Sequence, residues 1–221
     1  MENAGYARCK GKMMSSEMIW RGSVSEWRKR LRTWALEKTD EQILIGYNFL
    51  SFRFLIGDTA VNEQFSKMVR RQLKTAQTFL YYMAQQELIS EIPQVNHSLL
   101  TLLKRKEKWD SIDIKKHALF PLHHCLQILA VQRNIINAPP LQLLDGLVNI
   151  GELSAGFADD IRHAYEVALR TRIRLSWDKH LREEKITTTI QFSTIRQWEQ
   201  DELRTMLSTV SSLQSHLLSK L

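Results

Sequence analysis

Apolar residues recur at three- and four-residue steps along most of the chain, the period of helices that bury one side. Ser23 and Glu26 have capping-box spacing before Trp27, Leu31 and Trp34, so a helix starts there. Asp40 opens a second helix, which the apolar run Ile43 to Ile56 carries to Gly57-Asp58. A third is predicted from Thr59 to about Leu88, with a break around Thr75 to Thr78, and a shorter one from Asn96 to Lys108. Ile112 to Asn134 reads as one helix, ended by the NAPP turn, and Pro140 suits the first turn of the next. Ala155 to Glu184 is the longest helical stretch, and Leu203, Met206, Val210, Leu213 and Leu217 make a narrow seam for one neighbouring helix. ITTTIQF, Ile186 to Phe192, is strand-like in its β-branched residues, but no partner strand is visible, so it reads as a linker. The pattern predicts an all-α bundle of about seven helices with no significant sheet, and residues 1–22 as a separate, less regular piece before 23–221.

Composition narrows this only slightly. With 43% hydrophobic residues among 221, the chain can bury a sizeable core. Its net charge of +7 attracts anions. The cations are scattered among acids outside Arg28 to Arg32 and Lys104 to Lys108, which argues against a dedicated nucleic-acid binder. Cys9 and Cys125 lie far apart and suit a reducing compartment. There is no signal-peptide core, and the longest apolar run carries Arg53, so a soluble cytoplasmic protein away from membranes is expected.

Charged residues inside apolar faces carry more information. Lys115 points between Leu119, Leu122 and Leu126 on a helical projection, and Pro121 would kink its helix by freeing the carbonyl of His117. Arg172 falls in the stripe Ile161, Ala164, Tyr165, Ala168, Leu169, Leu175 and Ser176. Arg53 lies in the apolar run, with Gly46 and Gly57 leaving space beside it. Three inward cations could converge on a phosphate or carboxylate, or pair internally with Asp58, Asp113 or Asp160. His117 and His124 are two turns apart, too far to share a metal, and Lys116, His123 and Gln127 take the solvated side. No metal site or cofactor is predicted.

Catalytic signatures are missing: no phosphate-binding loop, dinucleotide fingerprint, zinc-protease helix or nucleophile elbow occurs. Gly22-Ser23 is followed only by Asp40-Glu41, so the Gly-Ser and D-x-D elements of a nucleotidyltransferase are not here. Arg174 and His180 fit the loose R-x(4-6)-H pattern of HEPN ribonucleases, a short signal in a basic helix.

LSFRFLIGD (Leu50 to Asp58), IDIKKHALFPL (Ile112 to Leu122) and AYEVALRTRIRL (Ala164 to Leu175) together resemble the substrate-binding domain that follows nucleotidyltransferase domains in bacterial signalling proteins with CBS and often cyclic-nucleotide-binding modules. The likeness spans about Ser23 to Leu221, and GYARCKGKMMSSEMIWRGSVSEW resembles the end of the preceding catalytic domain. The resemblance implies a helical, non-catalytic module that faces a nucleotidyltransferase domain. The family's charged positions match Arg53, Asp58, Asp113, Lys115, Lys116, His117, Arg172 and Arg174. Ser51 stands where the family usually has Asp, and Ser176 where His is common, so a site using those side chains is altered.

The expectation is a basic cleft for a nucleotide or an acidic protein substrate. Arg53, Lys115, Lys116, Arg172 and Arg174 would bind it, Asp58, Asp113 and His117 would orient them, and His123 and His124 would be exterior. The alternatives are a structural bundle dimerising through the Leu203 to Leu217 seam and aromatics such as Trp20, Trp27 and Trp198, and then the ribonuclease.

Overall fold

The computed structural model describes Cys9, Gly11, residues 13–89, 91–93 and 110–221; the predicted helix Asn96 to Lys108 and the Lys104 to Lys108 cluster fall outside them. Among the described residues the fold is all-α apart from one two-stranded sheet. Helix α1 (Val24–Glu37) begins with the predicted capping box, in which Ser23 and Glu26 satisfy each other's backbone N–H groups. Thr39 and Gln42 make a second box ahead of α2 (Asp40–Leu50), and Asp58 accepts from the Ala60 N–H at the start of α3 (Thr59–Lys74). The predicted break is present, since α4 (Gln77–Ile89) starts after a short turn.

Two expectations along this half are corrected. Helix α2 stops at Leu50 and does not reach Gly57: the Ser51 and Phe52 N–H groups close tighter bonds onto the Asn48 and Phe49 carbonyls three residues back, and Phe52 stacks on Phe49. Arg53 therefore lies in the connecting loop. Nor does Gly46 leave space: a Cβ there would stand 2.8 Å from Cζ of the buried Phe79. Gly46→Ala should consequently destabilise, because overpacking of about 1–3 kcal/mol outweighs a helix-propensity gain of about 1 kcal/mol. Urea unfolding should show a lower midpoint at unchanged slope.

The second half is organised around α5 (Phe120–Gln132), whose apolar residues are buried on nearly every side, with α2, α3, α4, α6 (Pro140–Asn149) and α8 (Gln197–Leu218) packed around it. Helix α7 (Ala155–Leu181) runs antiparallel to α8, as the pairs Arg170–Glu202 and Arg174–Glu199 require. Leu203, Met206, Val210, Leu213 and Leu217 are all buried within the chain, so the seam serves this fold and is not free for a second copy.

The predicted linker is in part a strand. Thr189–Gln191 (β2) pairs antiparallel with Ser111–Asp113 (β1), Ile112 opposite Ile190. Both isoleucines point into the core, and the ladder is extended by Ile114 N–H to the Thr188 carbonyl and Phe192 N–H to that of Asp110. β1 takes up the residues from which the apolar pattern predicts a helix beginning at Ile112. A π-helical turn, Lys115–Leu119, joins β1 to α5. Pro121 lacks an N–H and its ring would clash with the carbonyl one turn back, so the chain widens there where a simple kink had been expected.

Candidate functional site

Asp113, the last residue of β1, organises the start of the α5 region. Its Oδ1 accepts the N–H groups of Lys115 at 2.9 Å and Lys116 at 3.0 Å and the Thr188 hydroxyl at 2.8 Å. Partial burial works against its charge, but the donors of Lys116, Thr188 and Lys115 prevail and hold the carboxyl below its usual range. The Asp113 N–H in turn donates to Nδ1 of buried His117, at 3.1 Å. Burial and the neighbouring Lys116 charge lower the His117 pKa, against the opposing pull of Asp113. Asp113 thus caps a turn and ties two segments together; it makes no ion pair with a cation among those described.

That cap fixes the backbone of two exposed lysines. Lys115 Nζ lies over the Phe120 ring, 5.0 Å from its centroid, and Lys116 is exposed beside it. The π-turn packs against α7. On a helical projection α7 gives Arg170 and Arg174 to the side that meets α8, and carries Arg172, Ser176 and Lys179 on the opposite flank. Lys179 donates to the Thr187 hydroxyl, next to the Thr188 that bonds Asp113. Lys115, Lys116 and Lys179 therefore lie beside the β1–β2 pair, and Arg172 is exposed about two turns before Lys179 on the same flank of α7. Lys179 is not among the residues expected from the sequence, although its spacing of seven from Arg172 puts both on one stripe.

The inward orientation expected for the cations is not found. Arg53, Lys115 and Arg172 are all exposed, and Asp58 is an exposed helix cap. Phe54 N–H is held by Asn137 Oδ1 at 2.8 Å, beyond the C-terminal end of α5, whereas Lys115 precedes its N-terminal end. The twelve steps of α5 put roughly 18 Å between those ends, so Arg53 is not brought to the lysines. Arg174 is bonded to the nearly buried Glu199, which also accepts from the Arg196 N–H at 3.0 Å. His180 points off another side of α7, near Trp177, so Arg174 and His180 form no pair of the ribonuclease kind.

Two histidines expected on the exterior are half-buried, and Gln127, expected in solvent, is buried. The His124 ring stacks on Tyr47 with centroids 3.9 Å apart, and its Nδ1 lies 2.7 Å from Oε2 of buried Glu87. Gln127 donates to Ser51 Oγ at 2.8 Å, and Gln214 to the Glu87 carbonyl at 3.0 Å. α5 is enclosed on more sides than its apolar stripe suggests, so its polar residues must find partners inside.

His123 gives this a pH signature. Burial, then the neighbouring His124, pushes its pKa from 6.5 down to about 4. Above pH 6.5 it is neutral folded and unfolded; below, the unfolded chain takes up a proton that the folded one resists. Stability should thus fall between pH 6.5 and 4, by up to about 3 kcal/mol from this group. Melts at pH 7 and pH 4.5 should show a smaller loss for His123→Gln than for the parent chain.

The fold defines a helical module in which a two-stranded sheet and the Asp113 cap fix the approach to the central helix α5. Family comparison places it further: the model described as "putative nucleotidyltransferase substrate binding domain" matches residues 77–221, most of the chain, and the chain belongs to that family. A second model, for a putative nucleotidyltransferase, matches residues 1–41. No curated protein and no solved structure matches. Among the described residues no helix is long and apolar enough to cross a membrane, and no three potential ligands gather around a metal position.

Proposed function

We propose that this chain is the non-catalytic module that holds a phosphate-bearing substrate for a nucleotidyltransferase catalytic domain, on the margin formed by Lys115, Lys116, Arg172 and Lys179. One observation carries the reading: Asp113 locks the backbone of the two lysines against the strand that follows α7, so flexible side chains start from a fixed platform. Guanidinium and ammonium groups suit phosphate oxygens, the Arg as a fork and the Lys as point charges. Lys115, Lys116 and Arg172 belong to the IDIKKHALFPL and AYEVALRTRIRL segments, Lys179 follows about one turn after the second, and Arg53 and Arg174 are set aside as direct ligands. An acidic protein segment is the second ligand class to be compared.

The surrounding architecture belongs to the same proposal: a bacterial cytoplasmic signalling protein in which residues 1–22 close a catalytic domain and 23–221 form the substrate-binding unit. Titration calorimetry with a nucleoside triphosphate and with inorganic triphosphate tests it. Arg172→Ala should weaken binding about tenfold or more, as loss of a charge-assisted contact does, and Arg53→Ala should leave it unchanged. Equal affinity for Arg172→Ala and the parent chain would refute the site.

A further inference from the structure

The segment Phe54-Leu55-Ile56 presents three large apolar side chains to water: Leu55 is 83% exposed and Ile56 89%. It is not slack chain. Besides the Phe54 N–H bond to Asn137, the Asn137 amide lies 3.4 Å from both Asn62 Oδ1 and Ser66 Oγ, so the loop is bonded to α3 through the turn after α5. Phe52 packs on Phe49 and Phe65 at one side, and Asp58 caps α3 at the other, after Gly57 takes a positive φ of 137°. Apolar groups held out on an ordered loop, with Arg53 and Asp58 as a charged rim, are the anatomy of a preorganised contact surface.

Aromatic contacts indicate what covers it. Phe52 meets Phe65, Phe65 meets Trp27 at 5.9 Å, and Trp27 meets Trp20 at 6.4 Å. Trp20 and Trp27 lie in the segment that matches the nucleotidyltransferase model. The stretch shared with the catalytic family is thus already packed on the body that carries the loop, and the loop continues that contact. The exposed stripe Ile173, Trp177 and Leu181 on α7 has no such connection.

We infer that residues 53–58 dock this module onto the catalytic domain of a nucleotidyltransferase of the matched family. The inference rests on the proposed partnership but not on the phosphate site. The test is binding of the whole chain to a separately produced, immobilised nucleotidyltransferase domain of that family, followed by biolayer interferometry. Leu55→Ser with Ile56→Ser should weaken binding at least about tenfold, the effect of removing a central apolar anchor. Melting temperature should hold, since both side chains are in water already. Lys115→Ala with Lys116→Ala should bind the domain normally while losing triphosphate affinity, which separates the two proposals. Three results would overturn the docking surface: no binding by the parent chain, equal binding by the double serine variant, or a parent dimer in sedimentation that this variant dissolves, which would make a second copy the occupant.

Discussion

His124→Leu is expected to cost about 3 kcal/mol, more than an ordinary change at a half-buried position. Glu87 has a nearly dry carboxylate whose Oε1 already lacks a hydrogen-bond partner among the described residues, and His124 supplies the bond to Oε2. Removing the imidazole leaves a buried carboxyl group with neither oxygen hydrogen-bonded among the described residues. The stack on Tyr47 goes as well, and the Tyr47 hydroxyl, which donates to the Met83 carbonyl, loses its flat neighbour. Replacing both residues, Glu87→Leu with His124→Leu, should recover much of the loss, because the buried carboxylate disappears together with its need for a donor. A denaturation cycle over the two singles and the double gives the coupling; additive losses would show that the pair acts independently.

Asp113→Ala has the second large effect, and it separates geometry from charge. Three hydrogen bonds vanish at once, two of them at helix-cap positions, for about 2–3 kcal/mol of stability. If the carboxylate served only to offset the cations, its removal would strengthen anion binding, since the basic margin would gain net charge. On the present account Lys115 and Lys116 lose their platform and triphosphate affinity falls severalfold. Asp113→Asn keeps an oxygen acceptor for Lys115 N–H, Lys116 N–H and Thr188 while removing the charge, so it should retain or improve affinity. Reduced binding in the alanine variant with recovery in the asparagine variant marks Asp113 as a positioning residue.

The legible parts of this fold were those set by neighbours in sequence. Ser23 with Glu26 marked a helix start, Pro140 another, the turn after Lys74 was visible as a break, and Leu203 to Leu217 showed the face α8 buries. The β1–β2 ladder was hidden because its partners lie about eighty positions apart and each strand is three residues long, leaving no room for alternation to register. Arg172 shows a subtler limit. A helical projection gives a side chain's direction, but it cannot say where the neighbouring elements end, and α7 runs on past the part of the bundle that covers its middle. Arg172 points along an apolar stripe at a level where that stripe has opened to water. Lys115 likewise lies against Phe120 and outside the core. Of the candidate site, the sequence held the residue types on two of its elements; that Thr188 joins them depends on the strand pairing.

The most direct measurement is hydrogen exchange of the whole chain with and without a nucleoside triphosphate. Slower exchange should be confined to the Ile114–His117 and Thr187–Thr189 backbone and the second half of α7. Protection that appears only around α1 and α3, or nowhere, would contradict a substrate site beside the Asp113 cap.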